Sequence, residues 1–393
     1  MTGMPAAHGS IRLTEEQSLL RDAVRVLATE RIAPRAAEID RSAEFPQDVR
    51  ALLADHDIFA IAFAEAHGGL GSDLLTLCLA VEEVSRACAS SGLMLAVQAL
   101  GAIPIQVAGT SDQQARWLPD LAAGRTLVAF GLTEADAGSD PSGIRTRAVR
   151  DGDEYVLDGT KRFISHGSVA DLVVVFAATN PEAERPTRRL SAFVVETDRP
   201  GFAVTRVEHK MGIRGSPTAE LAFDGLRVPV ANRLGAEGEG FGLAMKTFER
   251  SRPGIAAQAV GIAQGALDVA AAYATQRRQF GKPIGELQMV QAMLADMDAS
   301  TEAARQLLYT ACQEIEAGSP EAARWAAIAK LVAGDAAMRV TTDAVQVLGG
   351  YGYIDEYPVE RMMRDAKITQ LYEGTQQIQR LIVARSLLAR AGA

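Results

Sequence analysis

The chain has 393 residues, a formal net charge of −9, and a composition of 48% hydrophobic, 23% charged and 5% aromatic residues. This length predicts two or three domains, and the composition excludes a disordered or collagen-like chain. The acidic balance disfavours nucleic acid and anionic membranes as partners. Three cysteines without C-x-x-C spacing indicate a reducing compartment, and with no secretory signal or uninterrupted apolar spanning stretch we expect a cytoplasmic protein without membrane insertion.

Residues 1–125 read as a helical N-terminal domain. Thr14 is a candidate N-cap because Gln17 follows three residues later, and apolar residues recur at helical spacing up to Leu27. A second run with the same spacing covers 74–84.

Residues 126–234 change to short β-branched runs, at 155–157, 172–176 and 192–195. Asp-Gly and Pro-Gly turn signals separate these runs at the spacing of a sandwich or barrel. We therefore predict an antiparallel β domain here.

From 235 to 393 the alanine-rich helical periodicity returns. We therefore predict an α+β multidomain protein and not a doubly wound α/β fold.

Several common catalytic signatures are missing from the sequence. It contains no P-loop, no G-x-G-x-x-G after a strand, no H-E-x-x-H and no G-x-S-x-G. The five histidines lack paired spacing, so we predict no metal site and expect each histidine at the surface or in a loop.

Six segments carry a resemblance to one family. They are GTKRFISH at 159–166, KMGIRGSPT at 210–218, RRQFG at 277–281, QVLGGYG at 346–352, RDAK at 364–367 and YEGT at 372–375. In this order and spacing they resemble the acyl-CoA dehydrogenase family, and the resemblance runs from about Leu13 to Leu388.

The resemblance implies a helical N-terminal domain, a middle β-barrel-like domain and a C-terminal four-helix bundle. It also implies a homotetramer, built as a dimer of dimers, with FAD between the middle and C-terminal domains. An acyl-CoA substrate, an electron-transferring flavoprotein as acceptor, and a place in fatty-acid β-oxidation are implied as well.

Dehydrogenation of a thioester needs a base for the α-proton on one side and a hydride acceptor on the other. The resemblance makes Glu373 the base and the flavin N5 atom the acceptor of the β-hydride. Ser251 stands where some branches of the family carry the base instead, and because it is not acidic the assignment of Glu373 is strengthened. Burial by thioester and flavin is expected to raise the pKa of Glu373. The family stabilises the thioester oxygen through the backbone N–H of the base and a ribityl hydroxyl.

The resemblance also assigns binding residues. Those expected to contact FAD are Leu132, Thr133, Ser139, Phe163, Ser165, Arg277, Phe280, Gln288, Gln346, Gly349, Gly350, Thr375 and Gln377. Arg277 and Phe280 are expected to reach across the dimer. Those expected to contact acyl-CoA are Ser139, Glu249, Arg252 and Gly374, with Arg252 suited to the adenine and phosphate end.

The sequence departs from the family at two places. Phe163 replaces the usual Trp, which keeps a ring but removes the indole donor. Ala135 and Asp136 replace a commoner Pro-Gly and add a charge near the flavin.

Three alternative functions remain open at this stage. They are an acyl-CoA oxidase, a flavin-dependent monooxygenase, and a non-catalytic DNA-associated flavoprotein. The length disfavours an oxidase, retention of Glu373 disfavours a monooxygenase, and the negative charge disfavours DNA binding. The absence of an arginine at 90–92 favours an uncharged acyl group of undetermined length and branching.

Overall fold

The computed structural model describes residues 12–392. The chain runs through a helical region, a β region and a second helical region. The N-terminal helices are α1 (Glu15–Leu27), α2 (Ala36–Ser42), α3 (Gln47–Asp55), α4 (Leu74–Ala87), α5 (Ala89–Ala108) and α6 (Ser111–Ala122). The predicted order of helical, β and helical regions is confirmed.

A side-chain cap fixes where helix α1 begins. Thr14 Oγ1 accepts from the Gln17 N–H at 3.1 Å, and Gln17 Oε1 accepts from the Thr14 N–H at 3.0 Å. This reciprocal pair satisfies two amide groups that the first turn leaves without partners. The predicted capping box at the start of α1 is therefore confirmed.

Helix α5 has an uncharged apolar sequence of spanning length, which the sequence analysis did not single out. By length and composition α5 and α7 (Gly240–Gln276) could each cross a membrane, but 78% and 72% of their apolar windows are buried in the fold. Both helices instead contribute to one large core shared by the two helical regions.

The middle region forms one eight-stranded sheet. Its strands are β1 (Val128–Gly131), β2 (Arg147–Asp151), β3 (Glu154–Ser165), β4 (Leu172–Ala178), β5 (Leu190–Glu196), β6 (Phe202–Val207), β7 (Thr218–Pro229) and β8 (Arg233–Leu234). The order is β6-β7-β3-β2-β4-β5-β8, with β1 beside β4. Most pairs are antiparallel, but β1 and β2 each pair with β4 in parallel. The predicted β domain is confirmed as a mixed sheet in which most pairs are antiparallel.

The C-terminal region is built from long helices. They are α7, α8 (Gln288–Glu316), α9 (Ala322–Leu348), α10 (Val359–Ala366) and α11 (Gln376–Ala391), and a small ribbon of β9 (Arg278–Gln279) and β10 (Lys282–Pro283) follows α7. Helix α9 packs against α7, α8 and α11. A Cβ at Gly261 of α7 would lie 2.3 Å from the Glu82 carbonyl oxygen of α4. Small residues therefore let α7 lie directly against the N-terminal helices.

One histidine departs from its expected position. His166 is only 1% exposed, and its ring meets Phe45 edge-on with centroids 5.3 Å apart. Burial lowers the pKa of His166 to about 3, so the ring is neutral at physiological pH. His166 is thus a core residue within a turn and not a surface group.

Candidate active site

The segment that carries Glu373 links α10 to α11 in an unusual backbone conformation. Glu373 has φ +50° and Gly374 has φ +94°, so both residues lie in left-handed conformations. A Cβ at Gly374 would lie 2.8 Å from Gln379 Nε2. Thr375 then caps α11 by accepting from the Ile378 N–H at 3.4 Å. Glycine is required at 374 because a side chain there would be both strained and crowded.

The Glu373 carboxylate is held against helix α7. Ser251 Oγ donates to Glu373 Oε2 at 2.6 Å, and Arg252 Nε donates to the Glu373 carbonyl oxygen at 3.3 Å. Burial raises the pKa of Glu373, while Ser251, Arg252 and Lys330 act in the opposite direction. A carboxylate with a raised pKa, close to the protein interior, is suited to take a proton from a weak carbon acid.

Removal of the Ser251 hydroxyl tests this contact. In Ser251→Ala the carboxylate loses a hydrogen bond to its charged form, so the pKa of Glu373 rises further. Because the base acts when ionised, we expect the acidic limb of kcat/KM to move to higher pH by about one unit. A pH profile of steady-state turnover measures this shift, and an unmoved limb would show that the contact does not influence the base.

A cavity of about 420 Å³ with both apolar and polar lining adjoins Ser251. Its apolar lining comes from α4, α5, α6 and the segment before α4, and the small residues Ala96, Ala99 and Gly254 leave it room. The charged or titratable side chains of His67, Asp73, Arg250 and Glu316 also line it. Ser251 thus links the Glu373 carboxylate to a space whose apolar part can accept a hydrocarbon group.

The five middle-domain residues predicted to contact FAD lie on the loop after β1 and along the end of β3. Phe163 is 58% exposed and has φ +59°, so its ring faces outward from the strand. Thr133 and Ser165 are half-buried and Ser139 is exposed. Leu132 is buried in the core, so it can offer only its backbone to a ligand.

A buried ion pair, which the sequence analysis missed, supports this loop. Lys161 Nζ donates to Glu134 Oε1 at 2.7 Å and to the Leu132 carbonyl oxygen at 3.0 Å. Thr146 Oγ1 donates to the same carboxylate at 2.6 Å. Burial opposes ionisation of Glu134, but Lys161 and Thr146 outweigh it and lower its pKa. A lysine at an inward-facing position of β3 was the only sequence signal for this network.

The remaining predicted FAD residues lie on the C-terminal helices. Arg277, Gly349 and Gly350 line one cavity of about 500 Å³, where a Cβ on either glycine would meet nothing within 4 Å. Phe280 is 89% exposed with φ +52°. Gln288, Gln346 and Gln377 are exposed, and Thr375 is half-buried.

These surfaces fit a flavin dinucleotide. An open cavity lined by an arginine and two glycines suits a diphosphate, and outward-facing aromatic rings suit a flat ring system. The residues predicted to hold FAD thus form two groups, one on the middle domain and one on the C-terminal helices.

Of the predicted acyl-CoA residues, Arg252 and Gly374 lie with Glu373. Arg252 is buried, its guanidinium carbon lies 5.7 Å from the Phe248 ring centroid, and it contacts the Glu373 backbone. Glu249 is half-buried one turn earlier on α7. The structure therefore places Arg252 at the base rather than out on the surface.

The two departures from the family pattern have local partners. The Asp136 carboxylate is exposed and lies 3.6 Å from Arg145 Nη1. The Arg162 guanidinium lies 5.2 Å from the Phe163 ring centroid. The charge added at Asp136 is therefore paired and solvated.

Comparisons with known proteins agree with this architecture. The chain matches the family models for the acyl-CoA dehydrogenase N-terminal domain over 14–125, the middle domain over 129–226 and the C-terminal domain over 238–388. It is 49% identical over 377 residues to a cyclohex-1-ene-1-carbonyl-CoA dehydrogenase of Geobacter metallireducens, covering 96% of this chain and 99% of that protein.

Two solved structures are also similar. Butyryl-CoA dehydrogenase from Megasphaera elsdenii has a TM-score of 0.93 and 43% identity, covering 96% of this chain and 99% of that chain. A chain from a structural study of the electron transferring flavoprotein of Acidaminococcus fermentans has a TM-score of 0.94 and 44% identity, with the same two coverages. The chain therefore belongs to the acyl-CoA dehydrogenase family and is an oxidoreductase that acts on acyl-CoA.

Proposed function

We propose that the protein removes the α-proton and the β-hydride from an acyl-CoA and releases the trans-2-enoyl-CoA, with Glu373 as the base. The observation that carries this proposal is the Glu373 carboxylate, which accepts a hydrogen bond at 2.6 Å from Ser251, a residue that lines the cavity. Bound FAD supplies the acceptor for the β-hydride at N5. The thioester is oxidised by two electrons, and its α-proton goes to Glu373.

The protein's own groups prepare the substrate for proton removal. The Glu373 N–H has no hydrogen-bond partner among residues 12–392, although the carbonyl groups of Glu373 and Gly374 are both bound. A free N–H beside the base can donate to the thioester carbonyl oxygen, where negative charge develops as the α-proton leaves. We infer that one residue supplies both the base and a donor for the enolate oxygen.

The acyl group that we propose is uncharged. Apolar side chains and alanines make up much of the cavity lining, and the relatives named above act on cyclohex-1-ene-1-carbonyl-CoA and butyryl-CoA. Hydrocarbon groups of this kind gain from burial.

The acyl cavity can be tested by filling it. Ala99→Leu adds bulk to the wall of the cavity, so we expect kcat/KM for the larger acyl groups to fall about tenfold or more while the smallest acyl group is less affected. Steady-state kinetics with straight-chain and cyclic acyl-CoAs measure the change in preference. Ala115→Leu, on an exposed face of α6, is the control. Equal losses for every acyl group would show that Ala99 does not line the acyl site.

The assembly and the electron acceptor are also proposals. We propose an electron-transferring flavoprotein as acceptor, because one similar chain comes from a study of such a protein. A homotetramer follows from the family resemblance, and the exposed apolar side chains of Phe280, Met289 and Tyr353 on the C-terminal region support an assembly. On the same family resemblance we propose that the protein is cytoplasmic and acts in fatty-acid β-oxidation.

The experiment that tests the proposed function is an anaerobic titration of the FAD-loaded protein with a panel of acyl-CoAs. We expect loss of the visible flavin absorbance with at least one acyl group, and formation of one enoyl-CoA per flavin. A protein that binds flavin and is reduced by none of the panel would contradict the proposal. Reoxidation of the reduced protein, by a flavoprotein acceptor compared with air, then distinguishes a dehydrogenase from an oxidase.

A further inference from the structure

The side chain of Lys330 is fully buried in the middle of α9, against the segment that carries Glu373. Its Nζ donates to the Gly374 carbonyl oxygen at 2.7 Å and to Gln376 Oε1 at 3.4 Å. Both acceptors are neutral oxygens. Burying an ammonium group with only neutral hydrogen-bond partners costs free energy. Core packing alone therefore does not explain the position of Lys330.

Lys330 is one of three side chains that hold the peptide groups after the base. Gln379 Nε2 donates to the Glu373 carbonyl oxygen at 3.1 Å and to that of Gly374 at 2.9 Å, and Arg252 donates to the former. Left-handed backbone at a non-glycine residue persists only where its surroundings fix it. These contacts therefore maintain the conformation of Glu373.

Helix α9 approaches this segment closely along more than one turn. A Cβ at Gly334 would lie 3.0 Å from the Thr369 carbonyl oxygen and 3.1 Å from Gln376 Nε2. Gln376 Nε2 also donates to the Asp335 carboxylate at 2.9 Å. Lys330 thus projects from a helix that packs directly against the segment carrying Glu373.

The charges around the base have opposite effects on its titration. Burial raises the pKa of Glu373, whereas Arg252 on α7 and Lys330 on α9 lower it. Burial lowers the pKa of Lys330 to about 8, with Glu373 and Asp335 raising it and Arg252 lowering it. The Tyr372 phenol, beside the base, donates to Gln258 and has a pKa well above its usual value. At neutral pH the cations facing Glu373 are therefore Arg252 and Lys330.

We propose that Lys330 is a positioning residue for Glu373: it fixes the left-handed peptide after the base and keeps the carboxylate ionised with its positive charge. This inference rests on the proposed role of Glu373 as base. It assigns to Lys330 no contact with the substrate. Its effect is therefore expected on kcat and on the pH profile, with little effect on KM.

Three variants separate the hydrogen bond from the charge. Lys330→Gln keeps a donor but removes the charge, Lys330→Met removes both, and Lys330→Arg keeps the charge. For the first two we expect kcat to fall about 10- to 100-fold with KM nearly unchanged. We also expect the acidic limb of the pH profile to move up by about one unit, because a lost cation raises the pKa of the base. Lys330→Arg should restore the position of that limb.

Flavin content and the thermal midpoint of each holoenzyme are measured alongside the pH profile. A lower midpoint with an unmoved limb and unchanged kcat in Lys330→Gln would overturn the proposal, because a purely structural lysine predicts that result. If Lys330→Met does not fold, Lys330→Gln still decides the question. An active Glu373→Gln variant would instead overturn the proposed function, so the two failures are distinguishable.

Discussion

Glu373→Gln is expected to bind FAD and acyl-CoA but to lose turnover by about 10²- to 10⁴-fold. The amide is isosteric, so the hydrogen bond from Ser251 and the left-handed backbone can remain. An amide does not take up the α-proton at neutral pH, and the reaction then lacks its base. Steady-state turnover and flavin content of the purified variant measure the two parts of this expectation.

The matched control is Glu182→Gln, which makes the same chemical change on an exposed loop between β4 and β5. Its turnover should equal that of the unmodified protein. Turnover within a few-fold of normal in Glu373→Gln would show that another group is the base. Loss of FAD in that variant would instead show that Glu373 has a structural role in the cofactor site.

Lys161→Met is expected to lower the free energy of unfolding by about 3–5 kcal/mol, because it breaks a buried ion pair and leaves Glu134 without its cation. Lys161 is fully buried, and its Nζ contacts both the Glu134 carboxylate and the Leu132 carbonyl oxygen. The loop after β1 should therefore loosen, and FAD should bind more weakly. Denaturant unfolding and FAD retention on dilution measure the two effects.

The control for this prediction is Lys246→Met, on the exposed side of α7. A double variant, Lys161→Met with Glu134→Gln, should recover part of the stability because it removes the uncompensated carboxylate. If the free energy of unfolding of Lys161→Met is unchanged, solvent reaches Glu134 and the ion pair does not support the loop.

Local sequence signals predicted the elements of the fold well. The Thr14 capping box, the run 74–84 and the strands around 155–157, 172–176 and 192–195 all lie in elements of the expected type. Helices and strands of this kind can be predicted because the spacing of apolar residues over a short stretch of sequence indicates them. The parallel pairing of β1 with β4 was missed, because register between distant strands depends on contacts that no local pattern encodes.

The site residues divide in the same way, into those that a local sequence pattern identifies and those that only the folded chain brings together. Glu373 was identified from a four-residue motif, and Ser251 from its position in the family pattern. Lys330 and Gln379 were missed, because they lie 43 residues before and 6 residues after the base and meet it only in the folded chain. In the sequence, Lys330 stands out only as a lysine in an alanine-rich helix, and Gln379 is one of three glutamines at the start of α11.

The most direct test of α,β-dehydrogenation uses acyl-CoA labelled with deuterium at the α- or the β-carbon, mixed anaerobically with the FAD-loaded protein. The rate of flavin bleaching is followed in a single turnover. We expect both labels to slow bleaching, since the α-proton goes to Glu373 and the β-hydride to the flavin, and we expect Glu373→Gln to bind the thioester without bleaching. Bleaching that neither label slows, or that persists at its normal rate in Glu373→Gln, would contradict the proposed reaction.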